Sequence, residues 1–341
     1  MKTSDFMYDL PEEQIAQTPI EPRDHSRLMV VTRTGAKPVH RHFYDVIDYL
    51  RPGDALVINE TRVIPARLYG ERAGGGACEV LLLKQLGPKT WETLVRPGKK
   101  LRPGVTVTFG GGELKGTMLS ETDAGGRVVQ FECEGTFEET LDRLGEMPLP
   151  PYIHEKLQDK ERYQTVYAKQ DGSAAAPTAG LHFTPELMAA IEAKGAKFAA
   201  VELEVGIDTF RLVEEDDPTQ HVMHTERYHV PEEVVRAVHA AKAAGHRVIA
   251  VGTTAVRSLE SAFDADAPVS DPAVTACYFE GREDGADTLG RGDIVVRENA
   301  TTQLYLMPGS TYHVVDGLIT NFHVPRSTLM MLVSALATRD Q

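Results

Sequence analysis

Cysteine is scarce in this 341-residue chain, and the three present, Cys78, Cys133 and Cys277, are odd in number and far apart. That spacing argues against a disulfide framework or a zinc site and fits reduced thiols in a cytosol. Long apolar runs are also missing. No stretch approaches the roughly 20 apolar residues that cross a bilayer. The N-terminal MKTSDFMYDLPEEQ has no apolar segment behind its lysine, so a secretory leader is not expected either. An excess of positive charge is lacking too, with 36 Lys and Arg against 50 Asp and Glu giving −14 at pH 7. Such a balance argues against non-specific adhesion to nucleic acid over the whole surface, while a local basic patch stays compatible with it. No H-E-x-x-H helix or cysteine pair points to zinc. No glycine-rich loop follows an N-terminal strand, as a Rossmann-type nucleotide site would require.

What is present describes a globular protein with a real core, since 42% of residues are hydrophobic. The length suggests two domains, or one with an insertion. The first sixty residues read as α/β, with ALVIN (55–59) a buried strand leading into the charged turn Glu60-Thr61-Arg62. From Arg67 to Cys133 six short runs (ARLYGE, CEVLLLK, WETLV, VTVTF, ELKGTML, RVVQFEC) are separated by Gly- or Pro-rich turns, which predicts a small β-barrel or meander. Thr136 and Glu139 have capping-box spacing ahead of a closing helix. After MPLPPYI (147–153) the α/β texture returns. Thr184-Pro185 opens a helix that Gly195 stops, FAAVELEV (198–205) is a strand, and a helix runs from about 231 to 244. The strand RVIAVG (247–252) meets Thr253-Thr254 at the start of another helix, and a last helix begins near Ser327. The stretch 264–274 reads as an acidic surface loop. The expected architecture is an α/β domain of residues 1–66 and 148–341, with a β-barrel inserted at 67–147.

Several segments carry groups suited to chemistry. In RYQTVYAKQDGSAAAPTAGLHFT (162–184) the small residues Ser173–Gly180 let backbone approach a ligand, and a helix start follows with free N–H groups. Tyr163, Tyr167, His182 and Phe183 flank it, to stack on a base or to titrate; the alternative is a tight crossing with a hydrogen-bonded histidine. Arg23, Asp24, Ser26 and Arg27 form a charged turn, either for phosphate or ribose or as a brace. Asn59, Thr61 and Arg62 lie at a strand's carboxyl end, where α/β sheets place ligands, though Arg62 can equally staple the barrel. Gly252, Thr253 and Thr254 can cradle an anion or simply cap their helix. Asn321 and His323 precede the last helix, for hydrogen bonding or proton transfer, or for packing. Strand alternation puts His224 and Glu226 on one face, with His221 and His229 on the other, which favours substrate contact over metal. Arg96, Lys99, Lys100 and Arg102 are the densest basic cluster, in a barrel turn suited to phosphates or merely solvated.

These segments resemble one family. DGSAAAPTAGLHFT, preceded by RYQTVYA, is similar to the signature of the S-adenosylmethionine:tRNA ribosyltransferase-isomerases of queuosine biosynthesis. LPEEQIAQTPIEPRDHSRLMVV, GDALVINETRVIPARLYG (with Glu60 in place of the usual aspartate), WETLVRPGKKL, MPLPPYI, HVMHTERY, GHRVIAVGTTAVRSLES and DGLITNFHVPRSTLMMLVSA follow the same family in order. The resemblance implies transfer and isomerisation of the donor's ribosyl group onto 7-aminomethyl-7-deazaguanine at the tRNA wobble position. It implies tRNA as partner, no metal and no cofactor beyond S-adenosylmethionine as substrate; the reduced thiols place the chain in the cytoplasm, and a monomer is expected. Carried onto matching positions, it marks Gln164, Ala176, Pro177, Thr178, Ala179 and Gly180 as substrate contacts. His182, His224 and Glu226 are the catalytic candidates. At 201–210 the chain reads VELEVGIDTF, so Glu202, Glu204 and Asp208 replace Thr, His and Gly of the family pattern. Glu204 can replace the histidine as a base if burial raises its pKa. The rival readings are a non-catalytic tRNA- or nucleoside-binding paralogue and an S-adenosylmethionine-dependent RNA methyltransferase.

Overall fold

The computed structural model describes residues 1–32, 36–122, 125–206, 212–268 and 291–337; Asp208 and Cys277 lie outside them. The run ALVIN forms β3 (Ala55–Asn59), buried throughout. It pairs in parallel with β12 (Lys197–Leu203) on one side and β14 (Val248–Val251) on the other, and β14 pairs in parallel with β18 (Gly317–Ile319). Two antiparallel strands, β13 (Glu226–Val230) and β17 (Arg297–Thr302), extend the sheet beyond β12. Because strand side chains alternate, Leu56 and Ile58 point to one face and Ala55 and Val57 to the other. The first pair meets Phe43, Phe183, Leu187 and Ile191. The second meets Val234 and Val238 of α3 (Glu232–Ala243) and Val256 and Leu259 of α4 (Thr253–Ala262). Both faces are covered, as parallel strands require, and each fully buried aliphatic side chain contributes about 1.5–3 kcal/mol.

The six runs between Arg67 and Cys133 are the strands of a closed barrel: β5 (Arg67–Arg72), β6 (Gly76–Gly87), β7 (Thr90–Arg96), β8 (Thr106–Phe109), β9 (Leu114–Glu121) and β10 (Arg127–Cys133). Alternate residues such as Val107, Phe109, Leu114, Met118, Val129 and Phe131 fill its interior. Closure leaves no open sheet edge. Thr136 caps α1 (Phe137–Leu144) by accepting from the Glu139 N–H.

The sequence reading needs correction in three places. Among the described residues the first sixty contain strands and 3₁₀ turns but no α-helix. Thr61 and Arg62 belong not to a turn but to β4 (Thr61–Val63), which pairs in parallel with β11 (Gln170–Ser173). Residues 264–268, read as loop, lie in β15 (Phe263–Pro268) opposite β16 (Arg291–Ile294); the rest of that stretch, 269–274, falls outside the described residues.

Candidate active site

The parallel strands end at Asn59, Leu203, Val251 and Ile319, all on one edge of the sheet, and β12 and β14 flank β3 on opposite sides. In open α/β sheets this is where ligands enter. The Ser173–Phe183 segment lies over that edge. Ser173 anchors its start, its hydroxyl donating to Ala175 O (2.7 Å) and accepting from Val205 N–H (3.0 Å). Ala179 and Phe183 pack with Ile58 and Val251. The run of small residues lets the chain cross so closely that a β-carbon on Gly180 would stand 2.0 Å from the Tyr167 hydroxyl oxygen. Ala176, Pro177, Ala179 and Gly180 are buried there, and Thr178 is half-buried.

His182 closes the segment and is held at both ring nitrogens. Nε2 lies 2.7 Å from Asn321 Oδ1, and Nδ1 lies 2.8 Å from Ser26 Oγ. The amide oxygen can only accept, so Nε2 carries the proton and Nδ1 accepts from the serine hydroxyl. Burial lowers the His182 pKa and the Asn321 bond opposes it; the net shift is downward, keeping the ring neutral. Phe43 packs against the imidazole at 5.1 Å between centroids. A hydroxyl, an imidazole and an amide thus form one hydrogen-bonded chain, in which the amide oxygen fixes the ring tautomer.

The N-terminal turn clamps this arrangement. Arg23 donates to Gln164 O (2.6 Å) and Glu161 O (3.0 Å), and Thr184 donates to Asp24 (3.4 Å). Arg27 points outward from β1 (Arg27–Val30). Opposite, β14 runs into α4 through Gly252, whose φ of +89° is open to glycine at little cost. No side chain caps α4. Thr254 Oγ1, Ser258 Oγ and the Nε and Nη2 of Arg257 are buried with no hydrogen-bond partner among the described residues, as are Thr165 Oγ1 and the Tyr167 hydroxyl. Buried polar atoms in native proteins nearly always have partners; of these residues, Tyr167 and Thr165 stand against Gly180, and Thr254 stands with Ala179 against Gly252. Arg257 (4% exposed) also pairs through Nη1 with Glu226 (3% exposed). Glu226 accepts in addition from Gly206 N–H (3.2 Å) and lies 2.9 Å from His224 Nε2. Burial works to raise the Glu226 pKa, but His224 and Arg257 outweigh it and hold the carboxylate below its ordinary range. Glu204 moves the other way: burial raises its pKa, and Arg227 opposes from 3.9 Å.

A family model described as queuosine biosynthesis protein matches residues 3–341. The chain belongs to this family. The S-adenosylmethionine:tRNA ribosyltransferase-isomerase of Symbiobacterium thermophilum is 54% identical over 341 residues, covering all of this chain and 92% of that protein. Its counterpart in Desulfitobacterium hafniense is 50% identical over 342 residues, covering all of this chain and 93% of that protein. A solved S-adenosylmethionine tRNA ribosyltransferase from Thermotoga maritima is 35% identical, with a TM-score of 0.47 over 99% of this chain and 91% of its own.

Within this member of the queuosine biosynthesis family, several residues singled out from sequence turn inward. Asn59 and Thr61 are fully engaged on Leu203, with Asn59 Nδ2 donating to its carbonyl and Oδ1 accepting from its N–H (both 3.1 Å); they splice β3 to β12. Gln164 pairs with both backbone groups of Val63 (2.7 and 3.0 Å) as a strand neighbour would. Arg62 pairs with Glu161 and, at 3.8 Å, with Asp171. Tyr163, expected to stack on a base, is 6% exposed and packs with Val63, Met147 and Ala176, so it offers no face to a ligand. His323, read for hydrogen bonding or proton transfer or for packing, has its ring 3.0 Å from Thr320 Oγ1, and burial pushes its pKa down to about 4. Among the described residues no three His, Cys, Asp or Glu side chains converge as metal ligands, and no helix is long and apolar enough to cross a membrane.

The basic cluster lies apart, on the barrel. Arg96, Lys99, Lys100 and Arg102 are all exposed. Beneath them Arg127, 6% exposed, donates to Leu101 O (2.6 Å), Gly126 O (2.7 Å), Gly98 O (3.0 Å) and Gly125 O (3.1 Å). Sequence reading passed over Arg127 and Arg257. The one available signal for Arg257 was a lone arginine within an otherwise small and apolar helix turn.

Proposed function

We propose that the chain transfers and isomerises the ribosyl group of S-adenosylmethionine onto 7-aminomethyl-7-deazaguanine at the tRNA wobble position, releasing adenine and methionine. The observation that carries this reading is His182, fixed between Ser26 and Asn321 at the end of the small-residue segment that crosses the carboxyl edge of the sheet. A sulfonium acidifies the ribose carbon next to it. His182 Nδ1 takes that proton once the Ser26 hydroxyl turns aside, and the resulting imidazolium supplies acid assistance to departing adenine. The orphaned hydroxyls and the Arg257 fork suit the polar groups and carboxylate of the donor. The buried crossing of the alanine-rich segment keeps water from a reactive sugar intermediate. Glu204, with its raised pKa, is the second candidate base, and Glu226, itself paired with His224, holds Arg257. Residues 67–147 act as an inserted unit whose Arg96, Lys99, Lys100 and Arg102 contact tRNA phosphates. The protein works as a cytoplasmic monomer without metal.

Incubation of the protein with S-adenosylmethionine and tRNA carrying the aminomethyl-deazaguanine tests the reaction. Adenine plus methionine is expected; S-adenosylhomocysteine would indicate a methyltransferase, and tRNA retention without products a binding paralogue. His182→Gln should lower kcat by roughly 100-fold or more with an unchanged unfolding temperature. Full turnover by that variant would remove His182 from the chemistry.

A further inference from the structure

Asn321 and His323 are both committed to the protein. Asn321 holds His182, while His323 lies against Thr320 with its carbonyl accepting from the Tyr8 hydroxyl. Their segment is fixed at both ends. Gly252 N–H donates to Ile319 O (2.8 Å), Val213 N–H donates to Arg326 O (2.9 Å), and Arg326 N–H donates to Phe6 O (3.2 Å). Between these anchors stands Phe322, 82% exposed. The next most exposed aromatic among the described residues is Tyr69, at 52%, on the barrel. A single apolar side chain in water is ordinary on a protein surface. This one differs in its place: it is covalently adjacent to the residue that orients His182, on a braced loop, past the carboxyl edge of the sheet.

We infer that Phe322 is the platform on which an unpaired base of the tRNA substrate stacks as the wobble nucleotide enters the His182 centre. The inference rests on the functional reading above and adds the residue that recognises the RNA. Single-stranded RNA is held by splaying bases onto aromatic faces, and any base has such a face, so stacking tolerates sequence. The aromatics flanking the signature segment do not meet this need. Tyr163 is packed among apolar side chains, and the Tyr167 hydroxyl is pressed against Gly180. An electrically neutral platform also suits a protein of net charge −14, in which the basic side chains of the barrel turn act elsewhere.

Steady-state kinetics of the full chain with modified tRNA and S-adenosylmethionine provide the test. Phe322→Ala should raise KM for tRNA by roughly 5- to 100-fold, the effect of losing one stacked base, with KM for S-adenosylmethionine and the unfolding temperature unchanged. Phe322→Trp should restore tRNA affinity and Phe322→Leu should not. The tryptophan also reports directly: its emission should be quenched by tRNA, against a background of the single buried Trp91. An unaltered KM for tRNA in Phe322→Ala, or equal rescue by leucine, overturns the inference. If His182→Gln abolishes turnover while Phe322→Ala is silent, the stacking idea alone falls. If His182→Gln is fully active, the site itself is misread.

Discussion

At the scale of single residues, His182 owes its protonation state to opposed influences, the Arg162 charge acting on the same side as burial. Removal from water favours the neutral ring, and the bond to Asn321 favours the charged one. Because burial prevails, the acid limb of the kcat/KM profile should lie below the ordinary histidine value of about 6.5. In Asn321→Ala the opposing bond is gone, so the limb should move further toward acid while kcat falls. Rate measurements between pH 4.5 and 8 decide this; a limb moving toward alkali would show that Asn321 does not act on the ring as described. This residue-level detail was only partly legible in the sequence. His182 and Asn321 were both marked, yet nothing in their spacing of 139 positions revealed that they touch. Tyr163 misled because its neighbours in sequence are polar while its neighbours in space, Val63, Met147 and Ala176, are not.

At the scale of elements, the barrel strands were readable because each has one face against a core, which writes a period of two, and each ends at glycine or proline. The α4 joint was readable because a fully apolar strand ran into Gly-Thr-Thr. By contrast β4 and β11 span only three and four residues and find each other across more than a hundred positions, too short for any periodicity to show. The acidic stretch at 264–268 hid a strand because its alternation places aspartate against alanine, a contrast that reads as loop. Arg127 was invisible for a similar reason, since a barrel arginine ordinarily faces water. Its five N–H groups instead collect turn carbonyls and Glu121, which is 3.0 Å away. Arg127→Met should therefore cost about 1–3 kcal/mol, the usual effect of leaving buried carbonyls without their donor, since Glu121 is itself largely exposed. Arg127→Lys should recover only part, lacking the planar fork. Urea unfolding of the intact chain measures both, and a methionine variant within 1 kcal/mol of the parent would contradict the bracing role.

At the scale of the whole molecule, the tying of the C-terminal segment makes global stability sensitive to acid. His323 has a folded-state pKa of about 4 against about 6.5 for a solvated ring. Above pH 6.5 folded and unfolded chains both carry the neutral form. Below it the unfolded chain binds the proton first, so the folded state loses ground until about pH 4, where it too protonates. This group alone should remove about 3 kcal/mol of stability across that window. Unfolding free energies from pH 7 to pH 4 should fall less steeply in His323→Gln; parallel curves for the two proteins would refute the assignment.

The histidine that anchors the proposed chemistry is gripped by one residue from the first thirty of the chain and one from the last twenty-five. During synthesis Ser26 and His182 emerge long before Asn321, so a nascent or prematurely terminated polypeptide has an imidazole tethered on one side only. A site built this way needs both contacts, so the proposed chemistry requires the segment around Asn321 to be folded against the one around Ser26.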